Sequence, residues 1–193
     1  QGRLPELPIH LDSPMAVDAT RIYRNYPRES EAKGELKAKN VILHRSVEES
    51  KALNELRGPA VLISSSGMLA GGRILHHLKR LLPDSKNTVV LAGYQAAGTR
   101  GRALLEHART IKIHGQQVEV KARMEDFCGF SGHADAGEIL RWLSAAKQPP
   151  RRIFLTHGEP ESSAALARRI TAEKGWETTV PHLGDVVRLH GNQ

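Results

Sequence analysis

Val61-Leu62-Ile63-Ser64-Ser65-Ser66-Gly67-Met68-Leu69-Ala70-Gly71-Gly72-Arg73 joins three kinds of chain in one stretch. The unbroken apolar run at its start is the pattern of a strand buried on both faces of a parallel sheet. Hydroxyl and glycine residues follow, as a tight turn needs. Beyond Arg73, the apolar residues Ile74, Leu75, Leu78, Leu81 and Leu82 recur at helical spacing. Strand, turn and helix in this order form half of a βαβ unit.

The flanking sequence repeats the pattern in both directions. Upstream, Ile9-His10-Leu11 reads as a strand, with Ser13 as an N-cap and Pro14 at the first position of a helix that ends near Pro27. Residues 28–40 are charged and weakly patterned, more a solvated excursion than a domain boundary. Val41-Ile42-Leu43 is a second strand, and Ser46 with Glu49 forms the capping-box pattern of a helix ending around Arg57-Gly58. Downstream, Thr88 to Ala92 reads as another buried strand, and a short helix follows near Arg102 to His107. This alternation implies an α/β fold with a doubly wound, mostly parallel sheet and helices on both faces.

The pattern then changes. Ile111-Lys112-Ile113 and Val118-Glu119-Val120 flank His114-Gly115-Gln116-Gln117, a hairpin signal. From Phe127 onward the chain reads as a helix over 136–147, a strand over 153–156, a helix over 161–174 and closing strands at 178–180 and 186–189. Asp135 and Glu138 are placed to cap the first of these helices. A boundary near residue 126 divides the chain into residues 1–126 and 127–193. No internal repeat or low-complexity tract is present.

Composition limits the function classes. The 193 residues are 39% hydrophobic, with mean hydropathy −0.41, the range of soluble globular chains. No apolar run approaches the roughly 20 residues that span a bilayer, so no membrane partner is expected. Cys128 is the single cysteine; without an intrachain disulfide, a reducing cytoplasm is the expected location. The net charge of +7 favours polyanions, of which nucleic acid is the commonest. Aromatic residues make up only 4%, so contacts to RNA or DNA should fall mostly on phosphate rather than on stacked bases.

Three constellations could carry chemistry. In the first, Ser65, Ser66, Gly67, Gly71, Gly72 and Arg73 sit at the junction of a strand and a helix N-terminus, where backbone N–H groups and the helix dipole favour an anion. A turn that merely needs small residues would look the same. The second is Gly93-Tyr94-Gln95-Ala96-Ala97-Gly98-Thr99-Arg100-Gly101-Arg102, again after a strand. There Tyr94, Gln95, Thr99, Arg100 and Arg102 form either one wall of a nucleic-acid groove at the carboxyl edge of the sheet or an ordinary basic loop. The third is a pair of histidines in one local grammar, His133 in Ser131-Gly132-His133-Ala134-Asp135 and His157 in Leu155-Thr156-His157-Gly158-Glu159. A lone histidine is more often a core or surface residue than a catalyst, but two alike point to a site. They do not make a metal centre: hydrolytic zinc sites need three protein ligands per metal, and no His-x-His-x-Asp-His cluster occurs.

Five motifs in order carry a resemblance: Asp12-Ser13-Pro14-Met15-Ala16, Ser65-Ser66-Gly67-Met68 with Gly71-Gly72-Arg73, Gly93-Tyr94-Gln95, and the two histidine motifs. Together they resemble the β-CASP branch of the metallo-β-lactamase fold, the nucleases of RNA maturation and decay. The resemblance implies that residues 1–126 are the β-CASP insert, truncated at its start, and that 127–193 are the returning C-terminal segment of the metallo-β-lactamase domain. It implies that His133 contacts the scissile phosphate and assists proton transfer to the leaving group. His157 would ligate one of two zinc ions, and a histidine at that motif favours RNA over DNA. Ser65, Ser66, Gly67, Gly71, Gly72, Arg73 and Ser131 are then the candidate phosphate-binding residues.

The chain departs from the family pattern in lacking the amino-terminal metallo-β-lactamase half and most zinc ligands. The expectation is therefore the RNA-binding part of a zinc-dependent ribonuclease, inactive alone. Residues 127–193 would expose apolar surface and pair with the missing half, with a second copy as a homodimer, or non-natively. A non-catalytic RNA-binding module and a small-molecule α/β enzyme holding a phosphate at the 64–73 loop are the alternatives.

Overall fold

The structure, a computed structural model, describes residues 6–26, 40–127 and 132–189. The class is α/β, with parallel strands and six α-helices among the described residues. The chain forms two compact units, residues 1–130 and 131–193.

In the first unit, β1 (Ile9–Asp12) is the central strand of a three-stranded parallel sheet, flanked by β2 (Val41–His44) and β3 (Val61–Ser64). The register sets Asp12 beside His44 on one side and Ser64 on the other. The chain leaves β1 directly into α1 (Pro14–Asn25), where the Ser13 side chain accepts from the Ala16 N–H and Pro14 occupies the first turn. After β2, Ser46 and Glu49 close a full capping box on α2 (Val47–Ala52). That helix stops earlier than expected and tightens into a 3₁₀ turn over Leu53–Glu55.

The amphipathic helix α3 (Arg73–Leu81) follows β3 and buries Leu75 and Leu78, with Leu82 just beyond its end. These leucines join Leu69, Leu91, Leu104, Ile111, Ile113 and Val118 in the main core. Burying each such side chain contributes roughly 2 kcal/mol. Around this core lie β4 (Thr88–Ala92), α4 (Arg100–Leu105) and the hairpin of β5 (Thr110–Ile113) and β6 (Gln116–Glu119). His114 and Gly115 at the hairpin tip both have positive φ, 47° and 80°. A two-residue turn matched to strand twist requires this backbone.

Several expectations need correction. Val61 and Ile63 are 41% and 49% exposed, and Val90 is 59% exposed. The run 61–63 and the strand 88–92 are therefore not buried on both faces. The reason is pairing: β3 is an edge strand, because β4 pairs in parallel with β7 (Arg123–Phe127) and not with β3. The strand β7 carries three charged residues, Arg123, Glu125 and Asp126, and no apolar run, which is why its sequence does not announce it. The cavity-lining residues Leu104, His107, Arg109, Val120 and Arg123 surround an open depression of about 290 Å³ on this unit.

The second unit contains α5 (Ala136–Ser144), capped by the Asp135–Glu138 box, then β8 (Ile153–Phe154), α6 (Pro160–Lys174) and β9 (Thr178–Thr179). The strands β8 and β9 pair in parallel over two residues, and α6 ends on Gly175 in the left-handed conformation. Residues 186–189 form no strand, contrary to expectation. Val186 and Leu189 are exposed, so no strand partner covers that segment. Among the described residues of this unit, Leu140 and Ile170 are the buried hydrophobic residues.

Candidate nucleic-acid interface

The carboxyl edge of the three-stranded sheet is built around Asp12, which is completely buried. Its Oδ2 accepts from Ser50 Oγ at 2.6 Å and from His77 Nε2 at 2.7 Å, and its Oδ1 accepts from Arg73 Nη1 at 2.8 Å. A carboxylate can only accept, so the proton of His77 sits on Nε2. Burial alone would raise the Asp12 pKa, but the bonds from Ser50, His77 and Arg73 outweigh it and hold the carboxyl below its ordinary value. Arg73 also donates to the carbonyls of His44 and Arg45. Its guanidinium thus ties α3 to β1 and to the exit of β2. Beside this network, His10 Nδ1 and His44 Nε2 lie 2.9 Å apart on adjacent strands. Burial, reinforced by the His44 charge, pushes the His10 imidazole below its ordinary value.

Directly above, the 64–73 loop is held from within. Ser65 Oγ accepts from Ser13 Oγ at 2.9 Å, and Ser66 Oγ accepts from the Ala70 and Gly71 N–H groups. Ser66 and Leu69 have left-handed backbones, φ 79° and 56°. Non-glycine residues in that region carry strain and cluster at functional loops. Gly72 is the N-cap of α3 with φ 80°, and it offers no side-chain cap to the first turn of the helix. That helix end keeps the partial positive charge of its N–H groups, while the Arg73 guanidinium is taken up by Asp12 and by the His44 and Arg45 carbonyls.

The 93–102 loop is bound to the first. Gln95 Nε2 donates to the Gly67 carbonyl, the Gly101 N–H donates to the Met68 carbonyl, and Arg100 Nη1 donates to the carbonyls of Leu69 and Ala70. Arg100 Nε also reaches the Lys112 carbonyl on the hairpin at 2.6 Å. Thr99 caps α4, accepting from the Arg102 N–H. Tyr94 is 57% exposed, and Arg102 pairs with Glu106 at 3.4 Å. The two loops, separate in sequence, therefore form one ledge. Gln95 and Arg100 face into the ledge, while Tyr94 and Arg102 are on its surface.

The two histidines occupy equivalent places in the second unit. His133 lies two residues before the N-cap Asp135 of α5, and His157 two residues before the N-cap Glu159 of α6. Both are exposed. His157 has a left-handed backbone, φ 71°, and a side chain on Gly158 would collide with Ser163 Oγ of the first helical turn. The turn carrying His157 is therefore tightly folded onto α6. Ser131 lies outside the described residues. Among the described residues, no group of three or more His, Cys, Asp or Glu side chains comes together to hold a metal ion.

Sequence reasoning missed the Asp12–Ser50–His77 cluster. Its one local signal is the four-residue spacing of Arg73 and His77, which sets both on one helical face. The adjacent His76 faces elsewhere, with its ring 4.5 Å from that of His114.

Two family models match in succession. One, described as the Beta-Casp domain, covers residues 1–104. The other, described as a Zn-dependent metallo-hydrolase RNA specificity domain, covers residues 117–181. A ribonuclease of Thermus thermophilus is 39% identical over 96% of this chain and 44% of its own length. The transcription termination factor FttA of Pyrococcus horikoshii is 35% identical over 95% of this chain and 30% of its own. An RNase J-like protein of Methanocaldococcus jannaschii is 31% identical over 97% of this chain and 44% of its own. The chain spans less than half the length of each of these relatives. On these matches and the ordered motifs, the chain belongs to the β-CASP family of RNA-processing metallo-hydrolases.

Proposed function

We propose that this chain is the RNA-binding part of a zinc-dependent ribonuclease, with the 64–73 and 93–102 loops holding the phosphates of a single strand. The observation that carries the reading is the cross-bonded ledge at the carboxyl edge of the sheet. It brings the Ser-Ser-Gly turn, the helix end at Gly72, Tyr94 and Arg102 onto one surface. The match to an RNA specificity domain supports RNA as the polyanion. Ser65, Ser66, Gly67, Gly71 and Gly72 would flank the phosphate path, with Arg73, paired to Asp12, at the start of α3; Ser131, outside the described residues, stays a phosphate-binding candidate on its motif alone.

His133 would contact the scissile phosphate and pass a proton to the leaving oxygen, for which imidazole is suited near neutral pH. His157 would offer one nitrogen to a metal. The residues described here do not by themselves fit a zinc ion, since no third ligand joins His157. Hydrolysis then belongs to a longer protein, in which a metallo-β-lactamase half supplies the remaining ligands in the cytoplasm. The basic balance of +7 favours this reading over a small-molecule enzyme.

The test is to incubate the purified chain with RNA and zinc, following both cleavage and bound metal. The expected result is intact RNA and less than two zinc ions per chain. Cleavage that disappears in His157→Ala would contradict it.

A further inference from the structure

We infer that Gln95 is a positioning residue: its carboxamide locks the 93–102 loop to the 64–73 loop, and RNA affinity depends on that lock rather than on contact with Gln95. The inference rests on the proposed RNA-binding ledge and assigns this side chain a task within it.

Three observations carry it. Gln95 is 2% exposed, too buried to reach a strand lying on the surface. Its Nε2 donates to two carbonyls, Gly67 at 2.9 Å on one loop and Gly93 at 3.1 Å on its own. Those two acceptors fix which end of the amide is nitrogen. Its Oε1 is then buried without a hydrogen-bond partner. A Cβ built on Gly101 would overlap that oxygen, so Oε1 lies against the Cα–H of Gly101.

A buried amide with half of its bonding capacity unused is a cost that a methionine of similar length would not incur. What the methionine lacks is a donor for Gly67 and Gly93. Glycine at 101 is required by the same arrangement, because it alone leaves room for the amide. The Gly101 N–H meanwhile donates to the Met68 carbonyl, one residue from the Gly67 carbonyl that Gln95 holds. Gln95 and Gly101 therefore clamp Gly67-Met68 from two sides. The clamp sits where the loop enters its left-handed stretch, between Ser66 and Leu69. Releasing it would leave the Arg100 bonds to the Leu69 and Ala70 carbonyls and loosen the Gly67-Met68 end of the turn relative to Tyr94 and Arg102.

The experiment measures binding of a single-stranded RNA to the 193-residue chain across a salt series, for the parent, Gln95→Met, Gly101→Ala and Arg102→Ala. Each variant is first checked for native circular dichroism. Gln95→Met keeps the volume and removes the donors; Gly101→Ala keeps the donors and displaces the amide, so either variant carries the test if the other fails to fold. The expected result for both is affinity about tenfold weaker and a log–log salt slope shallower by about 0.7 to 1.4, one or two phosphates' worth for single strands. A substitution that only lowered stability would leave the slope of the folded chain unchanged. If Arg102→Ala flattens the slope while Gln95→Met and Gly101→Ala bind as the parent does, the positioning role is overturned and the ledge stands. If none of the three changes affinity or slope, the ledge itself is overturned.

Discussion

At the scale of single residues, Asp12 stands out among the described residues as a fully buried carboxylate. It has no solvent exposure and three partners drawn from α2 and α3. Removing one member of such a buried ionic cluster typically costs about 3–5 kcal/mol, because the other members are left uncompensated. The exposed Arg45–Asp18 pair at 2.6 Å is worth well under about 1 kcal/mol by comparison. Two shifted groups set the acid response. His10 is held below its ordinary 6.5, so the unfolded chain takes up that proton first as pH falls. Its contribution is complete above pH 6.5 and declines below it. Asp12 is held below 3.8, so its contribution is present above that value and is lost as pH falls through the lower native one. Urea midpoints should thus decline from pH 7.5 to 5.5, and decline again below about pH 4. His10→Gln should remove most of the first decline; a flat profile from pH 7.5 to 5.5 in the parent would contradict the role given to His10.

At the scale of elements, local rules wrote much of the fold into the sequence. The caps at Ser13, Ser46 and Asp135 and the hairpin turn at His114-Gly115 each depend on residues within four positions of one another. All of them occur where the sequence places them. Ser46→Ala, which removes the oxygen accepting from the Glu49 N–H at 3.0 Å, should lower stability by about 1 kcal/mol in urea unfolding. Loss of several kcal/mol would mean that the box supports more than α2. What was illegible is set by distant partners. The apolar run Val61-Leu62-Ile63 is the same whether its strand is central or at an edge, and only the pairing of β4 with β7 decides it. Gln95 and Arg100 read as groove residues because amide and guanidinium groups suit RNA. Gln95 is buried and Arg100 half-buried instead, both engaged by carbonyls of a loop about 30 positions away. Arg73 is engaged by a carboxylate that lies 61 positions earlier.

At the scale of the whole molecule, the proposed RNA-binding ledge lies in one unit and the paired histidine motifs in the other. The matching placement of His133 and His157 was legible because each lies two residues before the N-cap of a helix. Among the described residues no ligand cluster forms around His157, as the scattered histidines and single cysteine of the chain give no closely spaced ligand set in the sequence. If the ledge binds single-stranded RNA through its phosphates, its affinity must weaken as salt rises. Dissociation constants of the parent chain for one unstructured RNA, measured from 50 to 300 mM salt (about the range where such contacts are resolved), give the slope. At about 0.7 per phosphate, log Kd should rise with log salt with a slope of roughly 2 to 4 for the several phosphates the two loops can hold. Affinity that does not change with salt, or no measurable binding at the lowest salt, would contradict it.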